Sequence, residues 1–119
     1  MLLIDDDEFL LQMMGGKFAA NGFEVQYAHD GAEGLDLLAK VKPDIVVCDF
    51  RMPTMDGLGF GARLKANPET KALPLIFLTS EDFSPEVLQS LKDMGIADYV
   101  HKSLDFKEIL ARVQKVLGA

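Results

Sequence analysis

Short, nearly continuous apolar runs alternate five times with longer amphipathic stretches, and that alternation leaves the fold little freedom. The runs are Met1–Ile4, Glu24–Ala28, Ile45–Cys48, Leu75–Leu78 and Tyr99–His101. "DIVVCD" and "PLIFLT" are almost free of polar interruption, as strands buried on both faces should be. Between the runs lie helical spacings. Leu10, Met13, Met14 and Phe18 share one face of a first helix, which Gly22 closes. Leu35, Leu38 and Val41 mark a second, limited by Pro43. Leu58 to Ala66 is a short third, ending before Pro68. Pro85 opens a fourth, with Val87, Leu88, Leu91 and Met94 inward and Gly95 behind them. Phe106, Ile109, Leu110, Val113 and Leu117 line a fifth.

Such alternation implies right-handed crossovers and a parallel sheet with helices on both faces. The predicted class is α/β: a doubly wound, five-stranded parallel sheet with five helices, flavodoxin-like, in strand order 2-1-3-4-5. One domain over residues 1–119 is expected at this length. Ligands of such sheets sit beyond the carboxyl ends of the strands, near the switch point in strand order. The first strand ends in Asp5-Asp6-Asp7, the third in Asp49, the fourth in Thr79-Ser80 and the fifth in Lys102. In the predicted order, Asp5, Asp6, Asp49, Thr79 and Lys102 converge on one shallow pocket.

Gathering carboxylates demands compensation, because two unit charges 4 Å apart repel by about 4 kcal/mol at a surface-like dielectric. A hard divalent cation relieves that repulsion. Mg²⁺ takes oxygen ligands and commonly bridges one or two carboxylates to a phosphoryl oxygen. A carboxylate standing alone on the third strand can serve as a nucleophile and carry an aspartyl phosphate. Asp49 is therefore the candidate nucleophile, with Mg²⁺, Lys102 and the Thr79 hydroxyl stabilising charge around it. Each residue also has a plainer reading. Asp runs before helices cap them, lone Asp residues form turns, and Thr or Lys at strand ends are usually solvated. Asp7, with Glu8, fits the cap. Four such coincidences in register with one alternating fold favour the site.

A net charge of −7 argues against general nucleic-acid binding or a polybasic membrane contact. Cys48 is the only cysteine, so no disulfide can form within one chain, which fits a reducing compartment. No apolar run reaches membrane-spanning length, and the N-terminus lacks a signal-peptide layout. A cytoplasmic location is the expectation.

"LLIDDDE", "PDIVVCDFRMPTMDG", "LPLIFLTSE" and "GIADYVHKSLD" together resemble the receiver domain of two-component response regulators, the CheY-like family. The similarity runs along essentially the whole chain. It implies that Asp49 accepts a phosphoryl group from a sensor histidine kinase or a histidine phosphotransfer protein. It implies that Asp5 and Asp6 hold Mg²⁺, with Asp6 direct and Asp5 mainly through water, and that the backbone carbonyl of Arg51 is a further ligand. Thr79 is then the hydroxyl that moves onto the phosphoryl group, and Tyr99 the switch aromatic that follows it inward. The surface made by the fourth helix, fifth strand and fifth helix changes and controls an output protein or fused effector domain. The domain is then a signalling switch, which catalyses only its own phosphorylation and dephosphorylation. Phosphorylation-linked dimerisation is compatible with this and not specified by it.

One residue departs from the family's pattern. Ser103 follows Lys102 where a proline, often after a cis bond, is usual. A cis bond here costs about 2.5–4 kcal/mol, so either the peptide is trans with a different loop or the strain is offset. Gly15-Gly16 inside the first helix, and Gly59 and Gly61 in the third, read as local weakening at about 1 kcal/mol per glycine. Arg51 and Glu81 flank the pocket at positions where the family tunes phosphate lifetime. They are expected either to pair across it or to form a plain surface ion pair.

Two rivals remain. A haloacid-dehalogenase-like phosphatase also places D-x-D after its first strand, which would make Asp5 the nucleophile, but Phe9 and the short chain disfavour it. A phosphate-independent receiver acting as a static docking module is kept open by Ser103. A flavin-binding flavodoxin lacks its phosphate loop here.

Overall fold

In a computed structural model that describes residues 1–118, the apolar runs become five strands of one parallel sheet in the order β2-β1-β3-β4-β5. The elements follow strictly in turn: β1 (Leu2–Ile4), α1 (Glu8–Ala20), β2 (Gln26–Ala28), α2 (Gly31–Leu38), β3 (Val46–Asp49), α3 (Gly57–Ala66), β4 (Leu75–Thr79), α4 (Pro85–Asp93), β5 (Asp98–His101) and α5 (Phe106–Leu117). The flavodoxin-like class and strand order are as expected. From β1 the chain steps outward to β2, then returns past β1 to β3. The winding therefore reverses at the β1/β3 boundary, and the crevice opens there.

Strand side chains alternate between faces, which divides the core in two. Leu3, Val47, Ile76, Leu78 and Val100 face α1 and α5, where they meet Leu11, Met14, Phe18, Ile109 and Val113. Leu2, Ile4, Val46, Cys48, Leu75 and Phe77 face the other side, against Phe60, Leu64 and Leu91. β3 and β4 are buried along their whole length. Helix starts follow capping chemistry. Asp7, Asp30, Asp56 and Ser84 each accept the backbone N–H of the residue three further on.

Three local expectations are corrected. The buried stripe of α1 is Leu11, Met14, Gly15 and Phe18, while Leu10 is half-buried and Met13 is exposed. Adjacent apolar residues at 10–11 and 13–14 allow either phase, and the packing of α1 onto β1 and α5 selects one. α2 ends at Leu38 and does not reach Val41. Val41 instead closes a loose turn through its N–H to the Leu37 carbonyl at 2.8 Å. At the end of α5 Leu117 is exposed, and the half-buried Val116 packs on the core in its place.

Two of the glycines read as weak points are packing sites. A Cβ on Gly15 would collide with the hydroxyl end of the Tyr27 ring, so the aromatic side chain of β2 rests directly on the α1 backbone. A Cβ on Gly61 would meet the Met94 methyl at 2.8 Å, which lets α3 approach the end of α4. Gly16 has open space around it.

Candidate functional site

The sheet register carries the polar strand ends to one rim. Asp49 is the last residue of β3 and pairs with Leu78; Thr79 ends β4 opposite His101; Lys102 comes next. Asp5 follows β1 directly and its N–H donates to the Ala28 carbonyl at 3.1 Å. Asp5, Asp49 and Thr79 are the three buried polar residues among those described. Each is held there by a strand too apolar to leave the core.

The aspartate triplet divides its work. Asp7 caps α1, its carboxylate accepting the Leu10 N–H at 3.2 Å. Asp5 is fully buried; one of its oxygens accepts the Asp7 N–H at 2.9 Å and the other pairs with Lys102 at 3.1 Å. Asp6 is exposed, with a carboxylate oxygen that groups with those of Asp5 and Asp49, all within 4.8 Å of one another. Lys102 Nζ also stands 3.1 Å from Asp49 Oδ1. One ammonium thus faces two buried carboxylates.

Electrostatics follow burial. Desolvation lifts the Asp5 pKa above its ordinary value, with the Asp6 charge adding, against the Asp7 N–H and Lys102. Desolvation and the Asp5 charge do the same to Asp49, against Lys102 and the Arg51 N–H. Burial opposes the charge on Lys102, but the two carboxylates together outweigh it and its pKa is raised. Burial also pushes the Cys48 thiol well up, which keeps it protonated and a poor ligand. The donor set is all oxygen and partly open to solvent through Asp6, which suits a hard divalent cation such as Mg²⁺.

The remaining predicted side chains make contacts of their own around this cluster. The Thr79 hydroxyl is turned onto its own loop, donating to the Glu81 carbonyl at 3.3 Å and accepting the Glu81 N–H at 3.1 Å. The Arg51 guanidinium reaches across the mouth to Glu81 at 2.8 Å, with both side chains exposed. Tyr99 lies outward, 40% exposed, its ring 5.3 Å from that of Phe83. The Lys102–Ser103 peptide is trans, as is every other described peptide bond.

Sequence reasoning missed the aromatic path beside the site. Phe50, the residue after Asp49, has its ring 4.5 Å from Phe83, and Phe83 in turn touches Tyr99. The one available signal was Phe83 itself, the lone apolar residue in the polar stretch "SEDFSPE". It also missed that the imidazole of His101 engages Ser103.

Comparison with known proteins bears on the family and the fold. The family model for the response regulator receiver domain matches residues 1–114. The response regulator MprA of Mycobacterium avium is 36% identical over 117 residues, covering 98% of this chain and 50% of that protein. Its counterpart in Mycobacterium sp. strain KMS is 37% identical with the same coverage. The chain thus spans about half the length of the curated relatives it matches. Among solved structures, the chemotaxis response regulator CheY4 of Vibrio cholerae superposes with a TM-score of 0.88 at 31% identity, over 97% of this chain and 95% of that one. A putative response regulator from Chloroflexus aurantiacus also gives 0.88, at 32% identity over 99% and 97%. None of the described helices is long and apolar enough to cross a membrane. The chain belongs to the response regulator receiver family of two-component signalling.

Proposed function

We propose that residues 1–119 form one receiver domain that works as a phosphorylation switch, with Asp49 as the phosphoacceptor. The observation that carries this reading is the shared ammonium of Lys102, 3.1 Å from both Asp49 and Asp5. It sits where negative charge would grow on a transferred phosphoryl group. Asp5, Asp6 and Asp49, with the backbone carbonyl of Arg51, would hold Mg²⁺, which supplies charge neutralisation for the phosphoryl oxygens.

In the transfer, an Asp49 oxygen attacks the phosphorus of a phosphohistidine. The O–P bond forms, the N–P bond breaks, and the imidazole leaves with the electron pair and takes a proton from solvent. Lys102 moves its contact from the carboxylate to a phosphoryl oxygen. Thr79 exchanges its two bonds to the Glu81 backbone for one to the phosphoryl group. That frees the loop carrying Phe83 and lets Tyr99 turn inward. The face made by α4, β5 and α5 is reshaped, and an output protein or effector domain reads it. Phosphorylation acts by favouring one of two arrangements that already exist. Water later hydrolyses the acyl phosphate, so the chain accelerates only its own labelling and reset. The donor would be a sensor kinase or a histidine phosphotransfer protein.

The phosphatase reading gains nothing from the geometry, because the second aspartate of its D-x-D pair, Asp7, is occupied as a helix cap. The decisive experiment is labelling with acetyl phosphate and Mg²⁺, read by intact mass. The wild type gains one phosphoryl group and Asp49→Asn gains none. Undiminished labelling of that variant refutes the assignment.

A further inference from the structure

The turn after β5 has a lock of its own. The Lys102 N–H donates to the Thr79 carbonyl at 2.7 Å, which extends the ladder by one residue. The Leu104 N–H then donates back to the His101 carbonyl at 3.1 Å, so His101–Leu104 is a tight turn with Lys102 and Ser103 at its centre. Within that turn the His101 Nδ1 accepts the Ser103 backbone N–H at 3.2 Å and lies 2.7 Å from the Ser103 hydroxyl. Donation from the backbone fixes Nδ1 as an acceptor and leaves the ring proton on Nε2. A proline at 103 would fix its own φ and have no N–H to satisfy. Serine does neither, and the imidazole supplies both the restraint and the acceptor.

We infer that His101 and Ser103 form a side-chain clip that sets the turn geometry so that Lys102 meets Asp5 and Asp49 together, which makes both of them positioning residues for phosphoryl transfer. This rests on the reading of Asp49 as phosphoacceptor. Lys102 has a long, flexible stem, and the direction of its first bond decides whether the ammonium reaches both carboxylates. The clip acts on that direction from the exposed side of the strand end, without touching the reacting atoms.

The test is a double-mutant cycle on the rate of labelling by acetyl phosphate with Mg²⁺. His101→Phe, which removes both bonds, is expected to slow labelling about tenfold, the scale of a small misplacement of a catalytic group. Ser103→Ala keeps the backbone donor and gives a smaller loss. His101→Asn places a carbonyl oxygen where Nδ1 was, and Ser103→Thr keeps the hydroxyl; both restore most of the rate. In a Lys102→Ala background His101→Phe has no further effect, because the clip acts only through the lysine. Wild-type rates in His101→Phe and Ser103→Ala overturn the inference, and so does an equal proportional loss in the Lys102→Ala background. Failure of the wild type to label at all overturns the Asp49 reading instead. The clip is then judged by NMR of the Lys102 ammonium: loss of its slowly exchanging protons in His101→Phe upholds it, and an unchanged signal refutes it.

Discussion

Lys102, one residue beyond the end of β5, reaches across β4 to place its ammonium 3.1 Å from Asp49 on β3. The contact joins residues far apart in the chain and spans two strand spacings. Only a long side chain at a register-matched strand end can make it.

That contact does not fully offset the burial of Asp49 and its repulsion by Asp5, and removing the Asp49 charge should stabilise the fold. Burial first, then the Asp5 charge, raise the Asp49 pKa above its ordinary 3.8. A carboxyl with a raised folded pKa holds its proton more tightly when folded. Its ionisation therefore subtracts stability as pH rises from 3.8 through the folded pKa, and the full cost is present above that pKa. In EDTA at neutral pH, Asp49→Asn is expected to be more stable than wild type by on the order of 1 kcal/mol. The difference should shrink as the buffer is acidified through that window. Urea melts across pH measure it, and a pH-independent gap contradicts it.

Cation binding should offset the same repulsion. At a Mg²⁺ concentration ten times its dissociation constant the wild type gains about 1.4 kcal/mol, or about 5 °C in Tm for a domain of this size. Asp6→Asn removes the exposed ligand and should lose most of that gain, while leaving the metal-free Tm within about 2 °C of wild type. Calorimetry with and without Mg²⁺ reads both numbers. An equal Mg²⁺ response in Asp6→Asn would place the cation elsewhere.

The adjacent glycines of α1 should respond in opposite directions to alanine. Gly16→Ala meets nothing within 4 Å and is expected to stabilise by about 0.8–1 kcal/mol from helix propensity. Gly15→Ala drives a methyl group into the Tyr27 ring and should destabilise by roughly 1–3 kcal/mol. Chemical denaturation of the pair decides it. Tyr27→Ala combined with Gly15→Ala should recover part of the loss, because the obstacle is gone.

Thr54 sits at φ 65° in the loop between β3 and α3, the one described residue other than glycine with positive φ. A β-branched side chain there is strained by about 1–2 kcal/mol. Asparagine tolerates that region, so Thr54→Asn should raise stability by about 0.5–1 kcal/mol. A thermal melt that moves downward would mean that Thr54 contributes something its backbone geometry does not reveal.

Element order, parallel topology and the site's acidic members were legible from local pattern. Runs such as "DIVVCD" have no other way to bury themselves, and a doubly wound sheet forces its strand ends to one rim. The pairing of Lys102 with both Asp5 and Asp49 needed one further assumption, the strand order. That order follows from the resemblance to receivers more than from any single segment.

What the chain alone determined is thus whatever depends on short-range periodicity and on which residue ends each strand. Tertiary structure decided the rest: the rotational phase of α1, the Tyr27 ring lying on Gly15, the Thr79 hydroxyl turned toward Glu81, the Phe50–Phe83–Tyr99 path and the His101–Ser103 clip. Each is a choice between locally equivalent options. The free-energy difference between such options comes from contacts with elements distant in the chain, and no window of neighbouring residues contains them.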